Sequence, residues 1–131
     1  IRREKATSNI CTNSGLRCPA FTIHMSLLGD AGLKQMATLN HENAVHLADV
    51  IDGIDGADVV NDTFFNEFTV KLNKPAAEVV EALAAKDILG GVPFSRISGG
   101  EHPNLLLVCT TEVVSDEDIH AFGQALEEVL S

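Results

Sequence analysis

Thr7-Ser8-Asn9 sets three polar side chains in a row behind Arg2, Arg3 and Lys5. At the amino end of a helix, hydroxyl and amide groups can cap the free backbone N–H groups. They can also join those N–H groups in holding an anion. Both roles are open to this segment. Arg2, Arg3 and Lys5 raise the local positive potential in a chain of formal net charge −10. Arg2, Arg3, Lys5, Thr7, Ser8, Asn9, Cys11 and Thr12 therefore form one candidate set, able to face an anion. Arg96 is a second candidate, because a planar guanidinium suits a carboxylate. It falls between two predicted strands, and an ordinary surface-loop arginine is the alternative reading.

Other reactive residue types are poorly placed for chemistry. Six residues separate Cys11 from Cys18, wider than the usual spacing of zinc pairs, so no metal site is expected. Cys11 reads as a packed thiol and Cys109, in an apolar run, as core. His41 and His46 are five apart, off the i,i+4 spacing of a helical metal pair. His24, His41, His46, His102 and His120 read as solvated or half-buried, and only His102, in a Gly-Pro loop, is positioned to gate a cleft. Gly90-Gly91 and Gly99-Gly100 are turn pairs rather than a phosphate loop. No Ser/His/Asp arrangement stands out.

Composition narrows the classes. A chain of 131 residues fits one domain with a real core, and 45% apolar residues argue for a folded globule. Nineteen acids against nine bases disfavour nucleic acid and anionic membrane as partners. No apolar run reaches the roughly 18 residues of a bilayer span. Three cysteines, odd and sparse, fit reduced intracellular thiols and a cytoplasmic location. The absence of Trp and Tyr removes the usual hot-spot and base-stacking anchors. The start, without Met and dense in charge, reads as the edge of a piece cut from a longer protein.

The elements that must position these residues follow from periodicity. Thr7 or Ser8 caps a helix carrying Ile10, Leu16, Ala20, Ile23 and Leu27, which Pro19 should kink or delay. Gly29-Asp30-Ala31-Gly32 breaks it. A second helix from about Leu33 to Asp52 aligns Met36, Ala37, Asn40, Ala44, Leu47, Ala48 and Ile51 on one face. Phe64 to Leu72 alternates as a half-buried strand, with Phe68, Val70 and Leu72 on one side and Glu67, Thr69 and Lys71 on the other. Pro75 opens a third helix, whose apolar face is Val79, Val80, Leu83 and Ala84. Leu89–Val92 ends that helix and starts a short strand. Leu105 to Val114 reads as a central strand under a helix layer. Ser115 caps a last helix whose three acids favour the positive end of its dipole, with Ile119, Phe122, Leu126 and Val129 as its buried stripe. The order α-α-β-α-β-β-α predicts an α+β fold, helices on one side of a small antiparallel or mixed sheet. The helix over 7–28 would expose Ile10, Leu16, Ile23 or Leu27, which predicts self-association through that segment.

Several strings together resemble one family. They are Arg2-Arg3-Glu4-Lys5-Ala6-Thr7-Ser8-Asn9-Ile10-Cys11-Thr12-Asn13, Met25-Ser26-Leu27-Leu28-Gly29 with Gly32-Leu33, Phe64-Phe65-Asn66-Glu67-Phe68, Leu89-Gly90-Gly91-Val92-Pro93, and Leu105-Leu106-Leu107-Val108-Cys109-Thr110-Thr111-Glu112. In this order they resemble the glycine-cleavage P-protein, and within it the carboxy-terminal part of subunit 1. Arg17-Cys18-Pro19 and Ser98-Gly99-Gly100-Glu101 depart from the pattern.

The resemblance implies the small carboxy-terminal domain of a fold-type-I pyridoxal-phosphate enzyme over residues 31–131, with 1–30 as a helical tail of the large domain or a linker. It implies glycine decarboxylation through pyridoxal phosphate, transfer of the aminomethyl group to a lipoyl H-protein, and a heterotetramer with subunit 2. It also implies that the Schiff-base lysine lies on the partner half. Lys5, Lys34, Lys71, Lys74 and Lys86 lack the His-Lys setting of that half, so this chain by itself would bind no cofactor and be inactive. Two alternatives remain: a stand-alone α+β domain for small-molecule binding or interaction, and another fold-type-I enzyme such as an aminotransferase. The Arg2–Thr12 string argues against the aminotransferase.

Overall fold

A computed structural model describes Glu4 and residues 15–131. The chain divides into two compact units, residues 1–35 and 36–131. The proposed cap at Thr7 or Ser8, and Ile10 and Cys11, lie outside the described residues.

In the first unit, helix α1 (Arg17–Asp52) begins. Pro19 sits in its first turn, where the missing backbone donor has no helical partner to lose. Thr22 Oγ1 donates to Cys18 O at 2.9 Å and Ser26 Oγ to Thr22 O at 2.7 Å, satisfying both hydroxyls on the helix's own carbonyls. The expected break falls at Gly29, at φ 60° and ψ −170°. Such a backbone suits glycine, which has no Cβ to clash. Helix geometry resumes at Asp30, earlier than the expected Leu33, and Asp30 pairs with Lys34 at 2.8 Å. Leu16, Phe21, Ile23 and Leu27 are exposed.

The second unit builds a four-stranded antiparallel sheet in the order β1-β2-β4-β3. Its strands are β1 (Ala57–Val59), β2 (Glu67–Leu72), β3 (Val92–Pro93) and β4 (Leu105–Cys109). Helix α2 (Ala76–Ala84) joins β2 to β3, and α3 (Asp116–Leu130) closes the chain. Phe68, Val70 and Leu72 of β2 and Leu106 and Val108 of β4 are buried on one face. Ala44, Leu47 and Ile51 of α1, Val79 and Leu83 of α2, and Ile119, Phe122 and Leu126 of α3 pack against it. Each large aliphatic so buried contributes about 1.5–3 kcal/mol. The other face carries Glu67, Thr69, Lys71, Leu105, Leu107 and Cys109, half-buried or exposed.

The helix starts follow local chemistry. Ser115 Oγ accepts from Asp118 N at 3.2 Å while Asp118 Oδ2 accepts from Ser115 N at 2.9 Å, a capping box with Asp in place of Glu. Pro75 offers α2 no side-chain cap. Instead Ala76 N donates to Pro103 O at 2.8 Å. Lys74 Nζ reaches Val129 O in the last turn of α3 at 2.7 Å, where an ammonium suits the free carbonyls.

Five further expectations are corrected. Strand β1 was not expected: three residues with an acid at the centre carry no usable period, and pairing with Val70–Leu72 makes it a strand. The strand β2 starts at Glu67 rather than Phe64, because Phe64 turns inward, its ring centroid 4.8 Å from that of Phe68. The strand β4 stops at Cys109 rather than Val114. Asn43 Nδ2 donates to Thr111 O and Val114 O, both at 3.0 Å, and gathers that stretch into a turn. Ala84 is exposed, at the last turn of α2. Cys109 is exposed rather than core, because strand alternation puts it beside Leu107 on the face without helices.

Candidate functional site

A cleft of about 540 Å³ opens where β3 and β4 part, within the range of small-molecule and peptide pockets. One wall is the α2–β3 connection, with Ile88, Leu89 and Val92. The other is the end of β4, with Leu107, Cys109 and Thr110. Ile119, Ala121 and Phe122 of α3 and Leu47 of α1 complete it.

Two glycines cause the parting. A Cβ on Gly91, at φ +115°, would lie 2.3 Å from Leu107 O, and one on Gly90 would lie 2.4 Å from Leu83 Cδ1. Gly91 thus lets the chain press on β4, and Gly90 lets it swing onto α2. Strand β3 then pairs only with Leu106 and Leu107. Asp87, at φ 62°, completes the turn before it.

The ladder phase fixes where the main chain of β4 points. Thr110 N donates to Asn66 O at 3.0 Å and Leu72 N to Asn104 O at 2.9 Å. In an antiparallel pair such bonds alternate, so 104, 106, 108 and 110 face β2, while 105, 107 and 109 face the β3 side. Leu105 N meets His102 O at 3.2 Å and Leu107 meets Val92. Gly90 would be next in register but has left the ladder. The N–H and C=O of Cys109 therefore face the cleft, with no backbone partner among the described residues.

Side chains hold this strand end rigid. Asn66 Nδ2 donates to Thr110 O at 3.0 Å and reaches Cys109 Sγ at 3.5 Å. Thr110, nearly fully buried, donates to Asn40 O at 3.4 Å. Partial burial, and then the Glu67 carboxylate beside it, push the Cys109 thiol above its ordinary range. Among the described residues, the charged groups of the cleft are Glu67, Asp87 and Asp118, and no Lys, Arg or His lines it. Asn43 and Asn66 carry no sequence signal for these roles, since an isolated Asn reads only as polar.

The predicted site residues do not converge here. Arg2, Arg3, Lys5, Thr7, Ser8, Asn9, Cys11 and Thr12 lie outside the described residues. Arg96 ends a 3-10 turn, Phe94–Arg96, after β3. It is exposed and has no hydrogen-bond or ion-pair partner among the described residues. Its neighbour Ile97 lines the cleft, and Arg96 does not. His102 does not line it either: the residue has φ 53° and its ring stands 5.9 Å from that of Phe94.

The described lysines do not fit a Schiff base, which needs a neutral amine in a dry pocket. Lys34 pairs with Asp30, Lys86 with Glu128, and Lys74 with a helix-end carbonyl, while Lys71 is exposed on β2. Among the described residues no group of three or more His, Cys, Asp or Glu is arranged to hold a metal. No described helix is long and apolar enough to cross a membrane.

The family model of the glycine cleavage system P-protein matches residues 1–126. The chain belongs to the glycine cleavage system P-protein family. It is 61% identical, over 99% of its length, to a probable glycine dehydrogenase (decarboxylating) subunit 1 of Rhodospirillum rubrum. It is 59% identical, over the same share, to the protein of that description from Xanthobacter autotrophicus. The chain spans about 30% of the length of these curated relatives. A crystal structure of a glycine decarboxylase (P-protein) in inhibitor-bound form matches with a TM-score of 0.81 and 37% identity, over 99% of this chain and 29% of that one. An archaeal O-phosphoseryl-tRNA(Sec) selenium transferase matches with a TM-score of 0.62 at 14% identity, over 77% of this chain and 26% of that one, a likeness of fold alone. The likeness to the P-protein structure covers an α+β arrangement, with helices on one face of a small antiparallel sheet.

Proposed function

We propose that this chain is structural scaffold of glycine dehydrogenase (decarboxylating) subunit 1 in the glycine cleavage system. The observation that carries the proposal is 61% identity to such a subunit over 99% of the chain. The parent enzyme decarboxylates glycine with pyridoxal phosphate as electron sink and passes the aminomethyl group to the lipoyl arm of an H-protein. The enzyme pairs subunit 1 with subunit 2 and works in the cytoplasm. Subunit 2 carries the Schiff-base lysine, and residues 1–131 alone bind no cofactor and turn over no glycine. The described lysines support this, since each is paired or exposed outside the cleft.

On this reading residues 1–30 belong to the tail of the large domain or the interdomain linker, and 31–131 form the small domain. Arg2, Arg3, Lys5, Thr7, Ser8, Asn9, Cys11 and Thr12 border the active-site cleft or the subunit interface. Arg96 is the candidate contact for a carboxylate, supported by its free guanidinium. Isolated, the fragment self-associates through residues 7–28. Leu16 at 86% exposure and Leu27 at 81% support this, because apolar stripes seldom stay uncovered.

The test co-expresses full-length subunit 1 with subunit 2 and measures glycine–bicarbonate exchange. Thr7→Ala, Ser8→Ala and Asn9→Ala should each lower exchange, and Arg96→Lys should raise KM for glycine. Activity loss with intact assembly puts the opening segment beside the active site, and loss of assembly puts it at the interface. Unchanged exchange and assembly in all three would overturn its role. Exchange by purified residues 1–131 alone would overturn the scaffold reading.

A further inference from the structure

We propose that the cleft between β3 and β4 binds an extended peptide segment, apolar at its centre and flanked by lysine or arginine. This goes beyond the scaffold reading and stands apart from it. The observation behind it is a pair of main-chain groups left over by the ladder. The N–H and C=O of Cys109 face the cleft at the register position that Gly90 has vacated. One donor and one acceptor on the same residue match one residue of an extended strand, which returns both bonds as a narrow antiparallel pair. A strand edge left unpaired and open to the cleft in this way is a template for a further strand.

The surroundings select the occupant. Ile88, Leu89, Val92, Leu107 and Phe122 offer apolar contact to alternate side chains of such a strand. Leu89 is 97% exposed and has no internal packing to lose. Glu67, Asp87 and Asp118 stand among the lining residues, and no Lys, Arg or His lines the cleft among the described residues. The complementary ligand is therefore basic at its ends, in a chain whose net charge of −10 repels acidic ones.

The test titrates the isotope-labelled chain with the blocked peptide acetyl-Lys-Val-Ile-Val-Lys-amide and follows its amide spectrum. Shifts should concentrate at 87–92, 107–110 and 118–122, and the Cys109 amide should exchange with solvent several-fold more slowly. N-methylation of the central Ile, or Glu in place of both Lys, should weaken binding by about tenfold. Ala121→Phe, at an exposed α3 position lining the cleft, should fill the space and weaken binding by a similar factor at unchanged melting temperature. If that variant melts early, the two peptide controls decide. The proposal is overturned by equal binding of the control peptides, by shifts centred elsewhere, or by no shift at about a millimolar peptide. It is also overturned by concentration-dependent shifts of these residues without peptide, which would make a second copy the occupant.

Discussion

Replacing Gly123 by alanine should destabilise the chain, against the usual direction for a helix interior. In a solvated helix, Gly→Ala gains about 1 kcal/mol of propensity. Here a Cβ at Gly123 would meet Val50 Cγ1 at 2.5 Å, where ordinary contact begins at 3.4 Å. The neighbour must therefore yield by about an ångström, and Val50, β-branched in α1, has essentially one helical rotamer to use. Overpacking of this kind costs about 1–3 kcal/mol, which exceeds the propensity gain. We expect Gly123→Ala to lose about 1 kcal/mol, roughly 3–5 °C in Tm for a chain of this size. Removing the obstacle should reverse the sign: in a Val50→Ala background, Gly123→Ala should stabilise by about 1 kcal/mol, a coupling of about 2 kcal/mol. The chain has no Trp or Tyr, so urea unfolding is best followed by circular dichroism, with m unchanged as the check on two-state behaviour. Stabilisation by Gly123→Ala with Val50 present, or the same effect in both backgrounds, would refute the reasoning.

Ser115→Ala removes the hydroxyl half of the capping box, leaving the backbone N–H of residue 115 on Asp118 Oδ2, and should cost about 1 kcal/mol in the same assay. Hydrogen bonds from the Ser115 side chain and then its backbone hold the Asp118 carboxyl below its ordinary 3.8. A depressed folded-state pKa adds stability above the unfolded value that is lost as pH falls through the folded one. Acid unfolding monitored below about pH 4 should therefore be less steep in Asp118→Asn than in the parent. Glu67→Gln removes the second cause of the raised Cys109 thiol, so iodoacetamide should label Cys109 faster at pH near 8, read by peptide mass spectrometry. An unchanged rate would mean that burial alone sets it. Lys74→Met deletes the ammonium on Val129 O and should cost about 1 kcal/mol, whereas Lys71→Met, on the exposed face of β2, should be neutral within about 0.5 kcal/mol.

What the sequence by itself determined is local and periodic. The alternation of Phe68, Val70 and Leu72 against Glu67, Thr69 and Lys71 identified the buried face of β2, because a strand's period of two depends only on its own residues. The stripe Ala44, Leu47, Ala48 and Ile51 and the Ser115 cap follow for the same reason. Family membership was legible too, because ordered strings of specific residues name a family without any knowledge of their contacts. The cleft was decided only in three dimensions. Gly90-Gly91 reads as a turn in the sequence, yet its effect, keeping the chain off the ladder until Val92, depends on Leu83 and Leu107 O lying where they do. Cys109 reads as core because Leu105–Cys109 is apolar throughout, and only the packing of Ala44–Ile51, α2 and α3 on one face leaves the alternate side solvent-facing. Asn43 and Asn66 bond to carbonyls 68 and 44 residues away. Partners so distant leave no trace in local pattern, so the end of β4, and with it the open edge at Cys109, belongs to the tertiary structure.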